Sequence, residues 1–160
     1  MRKTVHFLML VAGIQCIALP AHAQTPHRTA STDISALIQA QAGAWNRGDI
    51  EGYMEGYWKS DSLVFTSGAT VQRGWNATFK KYKTSYDTRE KMGRLEFSEM
   101  EITELSDSSA WVLGRWKLLR AHDTPGGVFT LILRKFHNGW KIVHDHTSST
   151  PAADIRSKQK

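Results

Sequence analysis

The sequence predicts an α+β domain in which a curved antiparallel sheet, four long strands plus a short hairpin, wraps around three N-terminal helices. Three observations predict it. Apart from one hairpin, apolar residues between Ile34 and Tyr86 recur at helical spacing. From Leu95 onward the period becomes two, in runs divided by Gly- and Asn-bearing turns. In the run Val128–Leu133 both alternating faces are largely apolar, whereas a sheet wetted on one side shows a polar outer face.

Residues 24–31 are polar and are expected to form a disordered lead-in to a domain spanning 32–150. Ser31 or Thr32 is the expected cap of the first helix, whose face is built by Ile34, Leu37, Ile38, Gln41, Ala42 and Trp45. Asn46-Arg47-Gly48-Asp49 stops it. Gly48 supplies a left-handed residue, and Asp49 accepts from the free N–H groups of a second, short helix carrying Ile50, Tyr53, Met54 and Tyr57 on one face. Leu63–Thr66 and Thr70–Gln72, joined by Ser67-Gly68-Ala69, read as the hairpin. The third helix runs from Trp75 to Tyr86. Leu95 and Phe97 alternate in one phase and Met100 and Ile102 in the other, so a β-bulge is expected near Ser98-Glu99. Trp111–Leu119, Val128–Phe136 and Trp140–His146 complete the meander.

The N-terminus has the parts of an export signal. Arg2 and Lys3 precede an apolar stretch from Val5 to Leu19, and Ala21-His22-Ala23 offers a small-x-small cleavage site before Gln24. The apolar run is short for a bilayer span, which takes about 20 residues. Residues 1–23 are therefore expected to be a cleaved signal peptide, leaving a periplasmic or secreted protein with no membrane attachment. The one cysteine, Cys16, falls within that segment, and Gln15 before it makes a poor lipidation site. A chain without it forms no disulfide and relies on packing. The formal charge is +6, of which Arg2 and Lys3 carry two; the remaining basic residues are scattered among acids, with a flexible basic tail expected over 151–160. No basic stripe with interleaved aromatics suggests nucleic acid.

The order helix, helix, hairpin, helix, four-stranded meander resembles the nuclear transport factor 2-like, or SnoaL-like, superfamily of cystatin-like cones. Trp45-Asn46-Arg47-Gly48-Asp49-Ile50-Glu51-Gly52-Tyr53 looks like the family's first inter-helix corner, and Gly139-Trp140-Lys141-Ile142-Val143-His144-Asp145-His146-Thr147-Ser148 like its last strand. Both are similar to the association domain of calcium/calmodulin-dependent protein kinase II and to a large bacterial branch without assigned function. The resemblance implies a cavity between the concave face of the sheet and the helices. Its members include ketosteroid isomerases, dehydratases, epoxide hydrolases, polyketide cyclases and non-enzymatic assembly domains, so the fold leaves the activity open. By position Arg115 resembles one of the association domain's pocket arginines, while Leu131 and Thr147 occupy the other two positions.

Candidate site residues follow. Asp145, expected beside Val143 and Thr147 on a cavity wall, is the candidate general base, since a carboxylate among apolar groups has a raised pKa; alternatively it is a fixed ion pair with Arg115. Tyr53, Tyr57, Trp58 and Trp75 are candidate aromatic walls with polar handles; Trp45 and Phe79 read as plain core. The ligand-binding set is thus Tyr53, Tyr57, Trp75, Arg115, Asp145 and Thr147. His144 and His146, two apart on one strand face with Trp140 and Ile142, have a spacing that serves metals, but His122 and His137 lie in turns and no third ligand is evident. No cofactor is expected. The expected function is capture of a small molecule by an exported protein; the alternatives are an oligomerising accessory module and an isomerase or lyase using Asp145. The apolar outer face of Val128–Leu133 suggests a homodimer.

Overall fold

The computed structural model describes residues 29–150. The expected signal peptide (1–23), most of the expected lead-in (24–31) and the basic segment 151–160 lie outside the described residues. Thr29, not Ser31 or Thr32, caps the first helix: its hydroxyl accepts from the Thr32 amide, and α1 spans Ala30–Asn46. Residues 29–31 thus belong to the domain. Asp49 caps α2 (Ile50–Met54) by accepting from Gly52 N at 2.7 Å, and Gly48 takes φ 84° as the corner requires. The hairpin β1 (Val64–Ser67) and β2 (Thr70–Arg73) leads into α3 (Trp75–Ser85). A one-turn helix, α4 (Arg89–Met92), follows and was not legible in the residue pattern. The long strands are β3 (Arg94–Ser106), β4 (Ser109–Leu119), β5 (Gly126–Phe136) and β6 (Gly139–Thr147).

All six strands form one curved, open sheet in the order β2-β1-β6-β5-β4-β3. The hairpin joins through a parallel pairing of β1 with β6, which sets Phe65 beside Asp145; the other strand pairings are antiparallel, and Tyr57 makes an isolated parallel bridge to Ile142. The expected bulge is present: register slips between Ser98 and Glu101, with Glu99 at φ 50°. Register slips again between Glu104 and Ser106, and a further bulge lies between β5 and β6. Ile132 opposes His144 while Leu133 opposes Ile142, so Val143 is the extra residue. Its consequence is large. Trp140 and Ile142 point inward, and after the slip Asp145 does too. His144 and His146 are turned outward, so they do not share a face with Trp140 and Ile142, and Asp145 does not share one with Val143.

The core lies between the concave face and the helices, with Ile34, Ile38, Met54, Leu63, Val112, Leu133 and Ile142 fully or almost fully buried. Asn46 ties α1 to the edge of β3 like a strand residue: its amide donates to Leu95 O (3.0 Å) and its carbonyl accepts from Leu95 N (2.7 Å). Arg89 of α4 donates to the carbonyls of Trp45 and Asn46, satisfying groups that the end of α1 leaves open.

Candidate functional site

The wide part of the cone holds a cavity of about 230 Å³. Its floor and walls are mostly aromatic. Tyr53 and Tyr57 come from α2 and its C-terminal extension, Tyr82 from α3, Trp45 from α1, and Phe65 and Phe129 from the sheet. Trp45 meets Tyr53, Tyr82 and Tyr86 edge-to-face, with centroids 5.2, 6.1 and 4.7 Å away, a geometry that holds each ring in place. Trp45 is therefore both core and cavity wall. Polar groups on the lining include the half-buried Lys81 and Thr147 and the exposed Ser85, Ser148 and Ser149, which mark the mouth, and Trp116 Nε1 fixes that last segment by donating to Ser148 O at 2.9 Å.

Among the described residues Asp145 is the one carboxylate on the cavity lining, and it is 5 % exposed. Its strand neighbours are Phe65 on one side and Leu131 on the other, so nothing lateral solvates it. Tyr57 donates to its Oδ2 at 2.7 Å, while Oδ1 is buried with no hydrogen-bond partner. Burial raises the carboxyl from 3.8 to about 7, and the Tyr57 bond moderates that rise. The phenols stand in sequence behind it: Tyr57 and Tyr53 oxygens are 3.3 Å apart, Tyr53 and Tyr82 oxygens 3.5 Å. Burial, then the charge of Asp145, pushes Tyr53 up to about 12 and Tyr57 well above its ordinary value, so both remain protonated donors. Tyr57→Phe removes the one interaction that favours the ionised carboxyl. The Asp145 pKa is then expected to climb further above 7, read by carboxyl ¹³C NMR titration; an unchanged midpoint would show the bond to be idle.

Of the expected site residues, Tyr53, Tyr57, Asp145 and Thr147 meet at this cavity, as does Leu131. Two do not. Arg115 lies between Gly114 and Trp116, which strand alternation turns inward, so its side chain leaves the outer face, pairing with Glu99 at 2.7 Å where both are more than half exposed. The sheet separates it from Asp145, the two form no ion pair, and a surface pair of this kind contributes little to stability. Trp75 sits at the start of α3 outside the cavity, stacked on Phe79 (5.0 Å) and donating from Nε1 to Met54 O. Trp58 stacks on Phe136 (5.5 Å) in a separate surface groove with Lys59 and Lys141. Among the described residues no group of three or more His, Cys, Asp or Glu is placed to hold a metal ion, and His144 and His146 project from the outer face. Tyr82, Tyr86 and Phe65 were missed as cavity residues. Their signal was available for Tyr82 alone, which follows Trp75 and Phe79 along one side of α3.

The fold and cavity define a cone-type domain of the nuclear transport factor 2-like class. The chain belongs to the SnoaL-like domain family, whose match runs over residues 34–153. It is similar to a nuclear transport factor 2-like protein of unknown function from Shewanella oneidensis, with 43 % identity over 75 % of this chain and 99 % of that one and a TM-score of 0.73. It shares its fold with a ketosteroid isomerase-like protein from Erwinia carotovora (21 % identity, 74 % and 95 % covered, TM-score 0.59). The same holds for a putative calcium/calmodulin-dependent protein kinase II association domain from Xanthomonas campestris (16 % identity, 84 % and 93 % covered, TM-score 0.59). No curated protein matches the chain.

Proposed function

We propose that the protein binds a small, largely apolar molecule in the cone's cavity, anchored through one polar group on Asp145. The observation that carries this reading is the orphaned Asp145 Oδ1 on an aromatic wall. A buried polar atom without a partner is costly, by about 1–3 kcal/mol, and a ligand group facing the cavity relieves it. The volume lies below the roughly 300–1,000 Å³ of pockets for drug-sized ligands, so the occupant is small. Native mass spectrometry of gently purified protein tests the reading: a retained small molecule, lost on Asp145→Leu, is expected, and a cavity that takes up no member of a neutral and charged fragment set sinks it.

A second reading, an isomerase or lyase with Asp145 as general base, is favoured by the carboxyl's pKa near 7, which suits proton transfer at neutral pH. A ligand recovered from D₂O with deuterium on carbon supports it; an unlabelled one supports binding alone.

The proposal extends to export, with mature material beginning at Gln24 by intact mass. It extends also to a second copy of the chain covering the outer face. That face carries Ile132, 41 % exposed, between Trp111 and His144, with Val128, 36 % exposed, further along the same strand. Light scattering at micromolar concentration is expected to give a dimer, and Ile132→Lys to shift it toward monomer; a wild-type monomer with no concentration dependence overturns the assembly.

A further inference from the structure

We infer that the molecule held in this cavity is an organic cation, an alkyl- or arylammonium whose N–H group meets Asp145 Oδ1 while its apolar body lies against the aromatic walls. The inference rests on the reading of the cavity as a ligand site and goes on to name the chemical class. Among the described residues Asp145 is the one acidic side chain on the lining, and the arginine that might have balanced it, Arg115, is on the other side of the sheet. Among the described residues Lys81 is the one cation on the lining and forms no ion pair with Asp145, whose Oδ1 has no hydrogen-bond partner among them. A ligand that brings its own positive charge to Oδ1 completes a buried pair; a ligand carboxylate would set two acids together.

The walls agree. Trp45, Tyr53, Tyr57, Phe65 and Tyr82 line the cavity with Asp145, and aromatic rings attract cations through their quadrupoles, most strongly where water is excluded. One of these rings already does so: Lys81 Nζ lies over the Phe65 ring at 5.0 Å. The groups facing Asp145 are Tyr57 and Tyr53 from the α2 segment, Tyr82 from α3 and, at the rim, Lys81; β1 and β5 present Phe65 and Leu131, which do not titrate. The phenols stay neutral near pH 7, so the charge that changes between pH 6 and 8, beside the Lys81 cation, is that of Asp145.

Cyclohexylmethylamine and cyclohexylmethanol, alike except for the head group, are the probes, with affinities read from amide shifts of ¹⁵N-labelled protein. The amine stays protonated throughout, with an alkylammonium pKa of about 10. It is expected to bind at least ~10-fold more tightly than the alcohol at pH 8, and to gain roughly tenfold between pH 6 and 8 as Asp145 ionises. Asp145→Asn is expected to abolish both the preference and the pH dependence. Equal binding of the two probes, or amine binding that is flat with pH in the wild-type protein, overturns the cation assignment and leaves the cavity reading standing. If neither probe shifts the resonances of cavity residues, the assignment also falls; a neutral fragment set that is equally silent takes the cavity reading with it.

Discussion

Asp145→Asn is expected to make the protein more stable at pH 8 and to lose that advantage as the pH falls toward 4. In the folded chain the carboxyl titrates near 7, against 3.8 when solvated. Between those values the native state holds a proton that the unfolded chain has already released. Stability therefore falls as pH rises through this window and levels off above about 7. At 1.36 kcal/mol per unit the accumulated cost at pH 8 is roughly 3–5 kcal/mol. Asparagine carries no charge, still accepts from Tyr57, and leaves an unpaired amide toward the cavity, which returns about 1–3 kcal/mol. The net gain is on the order of 1–3 kcal/mol, several degrees in Tm for a domain of this size. Melting curves of both proteins from pH 4 to 9 decide it: a Tm difference that opens across pH 4 to 7 is expected, and parallel curves would mean that Asp145 is solvated. The stabilisation would come with loss of the charge that the cavity presents to a ligand, a trade expected of a functional site rather than of a structural one.

How much of this site was legible in the residues depends on the period of each element. On helices the reading held, because Tyr53 and Tyr57 are four apart and must lie on one face whatever surrounds them. On strands it held only where alternation is unbroken. The bulge at Ser98-Glu99 announced itself, since Phe97 and Met100 are apolar on both sides of the slip. The bulge at Val143 did not: Trp140, Ile142 and Val143 are all apolar, and no side chain type marks which of two consecutive residues is the extra one. The inward direction of Asp145 comes from the family resemblance, and alternation groups it with Val143 and Thr147; the bulge takes Val143 off that face and leaves Asp145 inward. Arg115 failed for a different reason. Its inward direction came from family position, whereas Ala110, Val112, Gly114, Trp116 and Leu118 form the inward row. Glycine at 114 hid that row, because the space a larger side chain would fill is taken by the Phe129 ring, 2.5 Å from where a Cβ would stand. The cavity mouth was illegible altogether, being assembled from α3, β4 and the segment after β6, far apart in sequence.

Gly93→Ala is expected to be among the most damaging single-atom-group changes in the domain, costing about 2–5 kcal/mol. Gly93 follows α4 with φ 60° and ψ −158°, a backbone region open essentially to glycine, where another residue costs on the order of 1–3 kcal/mol. A Cβ there would also stand 2.5 Å from Leu119 O and 2.8 Å from Arg120 Cγ, and the first of these is backbone at the paired end of β4, so the strand itself must shift, at roughly another 1–3 kcal/mol. The damage should reach the cavity. Met92 O accepts from Trp45 Nε1 at 3.1 Å, and Leu95 is bonded twice to Asn46, so moving residue 93 moves both anchors of the α1 end that supplies the Trp45 wall. Gly139→Ala is the internal control: Gly139 has φ 100°, yet a Cβ there meets nothing within 4 Å. It should show the conformational penalty alone. Chemical denaturation of the two variants separates strain from collision, with the assigned indole N–H resonance of Trp45, which donates to Met92 O, reporting on its environment. Gly93→Ala should lose at least about 1 kcal/mol more than Gly139→Ala and shift that resonance. Equal losses with an unchanged resonance would show that β4 yields freely at Leu119, and that the junction between α4 and β3 does not set the position of the cavity wall.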